Sequence, residues 1–381
     1  MDNRKLDDMI WEEDPYVFIF KDEIPGKTKM HVKNLDLHNW VRTDSSYPKQ
    51  MYARKRLYET NLNDIFVSRV DDPKTDACKR EFFQLLIVHL PERFPDIFEM
   101  QPNGFILNKV TGELISTDLD KNSNDEDLLL RAGRLTQEDW IIMELDPDHS
   151  TYVLTAGVLC FPSDWSLADK FNKPMHEIHS PVKIYMDKLQ NKVDSLFLCM
   201  KPEKPLWRAN WGIYSALSDI YDLFTHPKRQ LHNSKGTSSL PFEGEATGKK
   251  LFLRCEYQTL RKLPKTGCIV FGIRTYMRLM EDLKDRPLDE VQSLIDSIEH
   301  LDPEYLSYKG GDVWKDASLQ YLYLLVQLQR QQQQLHIETS KTQLQASTRC
   351  KLQSICNFIM SPKFLIVAGT IACMSIILNK R

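Results

Sequence analysis

The stretch Tyr152–Phe161, YVLTAGVLCF, is almost continuously apolar. A run of this length and character predicts a strand that is buried on both faces of a sheet. Three other runs, Trp140–Leu145, Leu251–Cys255 and Cys268–Arg274, also predict strands. The apolar residues of Asp76–Leu90 recur at helical spacing and predict a helix that the next proline ends. The sequence therefore predicts a chain that contains both strands and helices.

Composition excludes several classes of protein. Of the 381 residues, 42% are hydrophobic and 27% are charged, which excludes a wholly disordered or collagen-like chain. The 50 Lys and Arg residues are balanced by 53 Asp and Glu residues. Because a dedicated nucleic-acid-binding protein carries an excess of positive charge, we expect no nucleic-acid partner.

The eight cysteines contain no C-x-x-C pair. Neither a disulfide framework nor a site in which cysteines ligate zinc or an iron–sulfur cluster is indicated. We expect these cysteines to be free and mostly buried, as in a protein of a reducing compartment. The first twenty residues are acidic and lack an apolar run, so they predict neither a secretory signal nor a transit peptide.

The segment Phe364–Leu378, FLIVAGTIACMSIIL, is uncharged and is flanked by Lys363 and by Lys380–Arg381. At 1.5 Å per residue a helix of this length covers about 22 Å, which approaches the ~30 Å core of a bilayer if Phe358–Met360 enters and Lys363 snorkels. This pattern predicts a C-terminal transmembrane helix, with a buried helix as the alternative. Such a single-pass tail anchor leaves the N-terminal domain in the cytosol. The short span favours the mitochondrial outer membrane over the endoplasmic reticulum.

These patterns divide the chain into three parts. We expect a globular domain over residues 1–318, and a Gln-rich spacer, helical or disordered, over residues 319–357. The membrane anchor then occupies residues 358–381.

Functional residue types are dense in three stretches, Phe161–Tyr185, Trp207–Trp211 and Arg254–Pro264. The first holds an H-x-x-H pair, but no third zinc ligand follows at a characteristic spacing. In the third stretch, Arg254, Glu256 and Gln258 would alternate onto one strand face. Such a row is a candidate site or, alternatively, a solvated face or an ion-pair network.

Taken in order, the motifs of residues 20–310 resemble the haem-dependent oxidative N-demethylase alpha-subunit-like family of bacteria and fungi, and this chain resembles a fungal member with an anchor. The motifs that carry the resemblance are Leu135–Asp139 (LTQED), Phe161–Trp165 (FPSDW), Lys170, Ile178–Val182 (IHSPV), Arg208 with Asn210–Trp211, Leu253–Pro264 (LRCEYQTLRKLP) and Ile273–Tyr276 (IRTY).

The resemblance implies an α+β fold, in which a PAS-like haem-binding sheet with flanking helices holds haem b and its iron. It implies a monooxygenase that uses O₂ to remove a methyl group from a small secondary amine, releasing formaldehyde. His179 belongs to the Ile-His-x-Pro-Val motif and is the implied axial metal ligand. Arg208, Arg254 and Arg261 are the implied cofactor-binding cations, since guanidinium groups bind haem propionates bidentately.

Three acidic residues inside matched motifs, Glu138, Asp164 and Glu256, are the candidate catalytic residues that would contact a protonated amine. The chain has no flavin or nicotinamide loop and no iron–sulfur cysteine set, so a separate reductase must donate electrons. Lys183 and Tyr257 depart from the family pattern and affect the expected substrate more than the cofactor. Two alternatives stay open. One is a non-catalytic haem-binding sensor or carrier tethered to a membrane, and the other is a tethered adaptor that dimerises through its Gln-rich segment.

Overall fold

The computed structural model describes residues 31–120, 126–148, 150–163, 165–182, 185–215 and 239–359. Its ten strands are β1 (Lys33–Asn34), β2 (Phe66–Ser68), β3 (Phe98–Gln101), β4 (Phe105–Asn108), β5 (Glu113–Ser116), β6 (Asp139–Asp146), β7 (Thr151–Val158), β8 (Leu206–Ser215), β9 (Leu251–Lys262) and β10 (Ile269–Leu279). The α-helices are α1 (Tyr47–Thr60), α2 (Leu62–Ile65), α3 (Pro73–Arg93), α4 (Leu128–Leu135), α5 (Leu167–Lys170), α6 (Met175–Ile178), α7 (Gln190–Cys199), α8 (Leu288–Glu299), α9 (Pro303–Tyr308) and α10 (Gly311–Ile359).

Seven strands form one antiparallel sheet in the order β1-β8-β9-β10-β6-β7-β2. Its five long strands, β6 to β10, are consecutive in sequence and lie in the order β7-β6-β10-β9-β8. The first in sequence, β6, therefore pairs with the last, β10. The other three strands, β3, β4 and β5, form a small antiparallel sheet. The architecture is therefore α+β with a large antiparallel sheet.

Strand register defines two faces of the large sheet. Leu260 pairs with Phe271, which pairs with Ile141, and these directly opposite residues share what we call the front face. Gly272 pairs with both Thr259 and Trp140 on the other face, the back face. Because strand side chains alternate, each position of β6, β9 and β10 is assigned to one face by its parity.

The connection between β7 and β8 covers one end of the front face. Helices α5, α6 and α7 contribute Leu167, Met175 and Phe197 to a buried cluster with Ile141 and Leu260 of the sheet. Gly157 of β7 allows this close packing, since a Cβ there would lie 2.9 Å from Leu167 and from Ile141 side-chain atoms. The front face thus has an apolar end under these helices.

Helix α3 covers the back face. The ring of its Phe82 lies 4.9 Å from that of Trp140 on β6, and Trp40 packs edge-on against both rings. Asp72 caps the helix by accepting from the backbone N–H groups of Lys74 and Thr75. The helix ends at Arg93 rather than before Pro91. A proline so near the end interrupts only the last turn, so it does not stop the helix.

One pair of cysteines differs from the expectation of free thiols. Cys78 of α3 and Cys268, which precedes β10, form a disulfide. Among the described residues, four cysteines lie outside any disulfide, of which Cys160 and Cys255 are buried and Cys199 and Cys350 are exposed. The absence of a C-x-x-C spacing could not reveal this pair, because its members are 190 residues apart in sequence.

The predicted fold included a C-terminal transmembrane helix, and this part of the prediction has to be corrected. Within the described ranges no helix is both long and apolar enough to cross a membrane. The longest described helix, α10, is continuous, but its Gln-rich part carries Gln, Lys and Arg side chains throughout and is exposed. The apolar segment Phe364–Leu378 lies outside the described residues. The chain divides into two compact units, residues 1–324 and 325–381.

Candidate functional site

Strand β9 carries a polar row on the front face. Arg254, Glu256 and Gln258 alternate along it, as the sequence predicts. On the neighbouring strand β8, Arg208 lies opposite Gln258 and Asn210 lies opposite Glu256. Directly opposite residues of an antiparallel pair share a face, so these five side chains form one polar patch, which we call the front row.

Glu256 accepts hydrogen bonds from three side chains of the front row. Its carboxylate accepts from Arg254 Nε at 2.9 Å and from Gln258 Nε2 at 2.8 Å. It also accepts from Asn210 Nδ2 at 3.2 Å. Burial raises the pKa of a carboxyl group, but the charge of Arg254 and these bonds hold the pKa of Glu256 below its ordinary value. Glu256 is therefore an ionised carboxylate whose charge Arg254 neutralises.

The guanidinium of Arg254 connects the front row to the residues that follow β7. Its Nη2 donates to the carbonyl oxygen of Phe161 at 2.6 Å and to Thr275 Oγ1 at 3.1 Å. Its Nη1 is buried and has no hydrogen-bond partner in the part of the chain that the structure describes. The same holds for Nε of Arg208. Two guanidinium N–H groups of the front row therefore lack an acceptor, which is uncommon for buried donors.

His179 lies directly after helix α6 and is mostly buried. Its Nδ1 lies 2.9 Å from the carbonyl oxygen of Met175. Burial lowers the pKa of the imidazole, and the charges of Arg208 and Lys170 lower it further, against the opposing effect of the Met175 carbonyl. The ring is therefore neutral at physiological pH, and the Met175 carbonyl assigns its proton to Nδ1. This leaves a lone pair on Nε2, which makes no hydrogen bond to any described residue.

Tyr185 holds the imidazole from one side. The two rings stack with their centres 4.4 Å apart and their planes 18° from parallel. Tyr185 begins a five-residue π-helical turn, Tyr185–Leu189, which leads into α7. Turns of this kind are frequent at functional sites. The Tyr185 hydroxyl is buried and has no hydrogen-bond partner among the described residues.

Glu138 does not join the front row. It directly precedes Asp139, which register assigns to the front face, so its side chain points towards the back. Its Oε1 accepts from the backbone N–H of Arg42 at 2.9 Å. Its Oε2 is buried and has no partner in the described ranges. Burial raises the pKa of this carboxyl to about 7, although the charge of Arg274 opposes the shift.

Arg261 is also separated from the front row, and Asp164 lies outside the described residues. Arg261 is seven positions after Arg254 on the same strand, so the two side chains emerge on opposite faces. The structure therefore brings together Arg208, Arg254 and Glu256, and the charge of Arg208 acts on His179. Glu138 and Arg261 lie on the back face.

Three residues of the site had no sequence signal of their own. Tyr185 follows the Ile-His-x-Pro-Val motif but does not belong to it. Tyr214 lies on β8 with its hydroxyl 2.7 Å from Ser163 Oγ, inside the Phe161–Trp165 motif. Lys309 donates to Asn210 Oδ1 at 3.2 Å and to the carbonyl oxygen of Trp211 from 98 residues away in sequence. A contact across that separation cannot be read from local spacing.

No group of three or more His, Cys, Asp or Glu side chains among the described residues could hold a metal ion. An axial haem ligand is a single side chain, so this finding leaves His179 unaffected.

Comparison with known families identifies the chain. Residues 31–319 match the family model described as haem-dependent oxidative N-demethylase, alpha subunit-like. The match spans about three quarters of the 381 residues. The chain therefore belongs to this family, as its ordered motifs indicate.

Proposed function

We propose that this member of the haem-dependent oxidative N-demethylase alpha-subunit-like family binds haem b on the front face, with His179 Nε2 as the axial ligand. The observation that carries the proposal is the arrangement of His179. A haem-ligating histidine offers one neutral ring nitrogen and donates the other N–H to a carbonyl or carboxylate, which fixes the tautomer and the ring orientation. The Met175 carbonyl and the Tyr185 stack supply that arrangement here.

The front row fits the carboxylate side of haem. Arg208 Nε and Arg254 Nη1 are buried donors without acceptors among the described residues. A propionate would supply the missing acceptor, and charge-assisted bonds of this kind are among the strong ones. The charge of Arg208 also acts on His179, so an arginine that would hold a propionate influences the histidine that would bind the iron.

The proposed reaction removes the methyl group of a small secondary amine. Haem supplies oxygen activation when it is bound. Overall, R–NH–CH₃, O₂, two electrons and two protons yield R–NH₂, formaldehyde and water, with the electrons supplied by a separate reductase. The chain's own residues orient the axial ligand, hold the carboxylates and exclude water through the apolar cluster under helices α5, α6 and α7.

Contact with the substrate amine is proposed for Asp164 alone among the three acidic candidates. Glu256 is neutralised by Arg254 and already accepts three hydrogen bonds, so it has little capacity for a second cation. Glu138 faces the other side of the sheet. Asp164 follows Ser163, whose hydroxyl contacts Tyr214 on the front side of β8.

Turnover tests the proposed reaction. Full-length protein is loaded with haem and supplied with O₂, a reductase with its electron source, and a panel of small N-methylamines, and formaldehyde is measured. We expect formaldehyde to form in equal amount to the demethylated amine for at least one secondary amine, and Asp164→Asn to raise KM more than it lowers kcat. A haem-loaded protein that releases no formaldehyde with any amine would favour the non-catalytic sensor or carrier.

A further inference from the structure

Arg261 on the back face has an unusual environment for an arginine. Its guanidinium lies over the ring of Trp40, 4.1 Å from the ring centre. It makes no hydrogen bond or salt bridge with any described residue. The acidic side chain that acts on it electrostatically, Glu81, is occupied elsewhere, because its carboxylate accepts from the backbone N–H groups of Lys265 and Thr266 at 2.8 Å. A partly buried guanidinium without an anion is energetically unfavourable.

The polar atoms around Arg261 also lack partners. Trp40 Nε1 and His89 Nε2 are buried without a hydrogen bond to any described residue, and the two rings lie 5.5 Å apart. Thr259 Oγ1, two positions before Arg261 on the same face, is in the same situation. Each of these groups can donate a hydrogen bond, and the indole and the guanidinium can only donate. The partner that would satisfy this cluster is therefore an acceptor.

The charge of the surroundings favours an anionic acceptor. Burial, together with the positive charges of Arg261, Arg93 and His38, lowers the pKa of His89 to about 4. Arg93 lies beside His38, with its Nε donating to the His38 carbonyl oxygen at 2.9 Å. The cluster thus combines positive charge with unused donors, as oxyanion sites do.

We propose that Arg261, Trp40 and His89 form a binding site for a small oxyanion, a carboxylate or phosphate group, on the face of the sheet opposite His179. Because the face of the Arg261 guanidinium stacks on Trp40, the N–H groups at its edge can donate hydrogen bonds to two oxygens of the carboxylate or phosphate. The site lies near the end of β9, where Arg261 and His89 are both only partly buried. It requires no haem and is independent of the proposed reaction.

Titration with simple anions tests this site. Full-length protein labelled with ¹⁵N at tryptophan gives indole N–H signals, of which Trp40 is assigned by Trp40→Phe. Inorganic phosphate and acetate are added separately at constant ionic strength. We expect a saturable shift of the Trp40 signal with at least one of them, and the tighter anion identifies the chemical class of the ligand.

Three variants make the result decisive. Arg261→Gln is expected to weaken anion binding at least tenfold. Arg261→Lys keeps the charge but loses the bidentate hydrogen bonding, so it is expected to weaken binding several-fold. Arg56→Gln, at an exposed arginine of α1, is the matched control and should bind as the wild type does. If Arg261→Gln fails to fold, Arg261→Lys carries the comparison. The absence of a saturable shift with either anion, or equal affinity in the wild type and the folded Arg261 variant, overturns the proposal.

Discussion

Glu138 is a buried carboxyl group whose Oε2 has no hydrogen-bond partner among the described residues, and its environment makes folding depend on pH. Its pKa rises from 4.5 to about 7 on burial, so the folded protein binds the proton more tightly than the unfolded chain. The stability that the protonated Glu138 side chain contributes is therefore fully present below the pKa that this group has in the unfolded chain. It is lost as the pH rises through the pKa of this group in the folded protein.

Glu138→Gln should remove this dependence, because a neutral amide of similar shape does not titrate. As the pH rises from about 5 to about 8, we expect the free energy of unfolding of the wild type to fall. This fall should exceed that of Glu138→Gln by up to about 3 kcal/mol. Urea unfolding at a series of pH values measures the difference. Glu92→Gln, at an exposed position of α3, is the control and should keep the wild-type slope. Parallel curves for the wild type and Glu138→Gln would show that this carboxyl does not titrate in that range.

Arg254 and Glu256 form a buried ion pair, and its two charges depend on each other. Arg254→Met would leave the Glu256 carboxylate buried without a countercharge, which costs about 3–5 kcal/mol of unfolding free energy. Replacing both, as Arg254→Met with Glu256→Leu, should be less destabilising than Arg254→Met alone. Equilibrium unfolding of the single and double variants gives their coupling energy. Additive losses would contradict the pairing.

Residue spacing predicted which polar side chains of β9 share a face. The period of two that places Arg254, Glu256 and Gln258 on one face follows from strand geometry alone. The same rule separates Arg261 from Arg254, since seven positions is an odd number. Membership of one motif therefore does not mean membership of one site. The position of Glu138 depends on where β6 begins, and strand ends are poorly determined by sequence.

The π-helical turn Tyr185–Leu189 begins with the tyrosine that stacks on His179, the proposed haem ligand. Tyr185→Leu removes the ring that stacks on His179, and aromatic stacking contributes about 0.5–1.5 kcal/mol. We expect this variant to release haem about 2- to 10-fold more readily, as measured by transfer of haem to an acceptor protein. Tyr185→Phe keeps the ring and removes a hydroxyl without a described partner, so it should behave as the wild type. Equal loss in both variants would assign the effect to the hydroxyl instead.

Strands were easier to predict than the helices that connect them. The continuous apolar runs at β6, β7 and β10 correspond to strands that are almost wholly buried. Helices α5 and α6 have only four residues each, too few for an apolar period to emerge, and the π-helical turn has no sequence signature. The histidine and its supporting ring therefore lie in the least predictable part of the fold.

The boundary of the globular unit can be measured by truncation. Tyr321 and Leu322 are 2% and 0% exposed, and the Tyr321 ring packs so closely on Gly248 that a Cβ there would lie 2.3 Å from it. A chain that ends at Ser318 loses both side chains, whereas one that ends at Leu324 keeps them. Burial of a leucine alone contributes about 1.5–3 kcal/mol. We expect the shorter chain to have the lower Tm in thermal unfolding followed by circular dichroism. Equal Tm values would show that these two side chains do not stabilise the unit.

At the level of the whole chain, motif order was more informative than composition. Charge balance and hydrophobic content indicate only a globular protein, whereas the ordered motifs identify the family that residues 31–319 match. The apolar segment Phe364–Leu378 lies outside the described residues, and at 15 residues it is shorter than the roughly 20 that usually span a bilayer.

Absorption spectra of the haem-loaded full-length chain test the role of His179 most directly. The wild type and His176→Ala, a change at a neighbouring histidine outside the matched motif, should show the same strong Soret band. His179→Ala should fold, as circular dichroism can verify, but lose or shift this band, and added imidazole should restore it. A folded His179→Ala protein with the wild-type spectrum would show that another group ligates the iron.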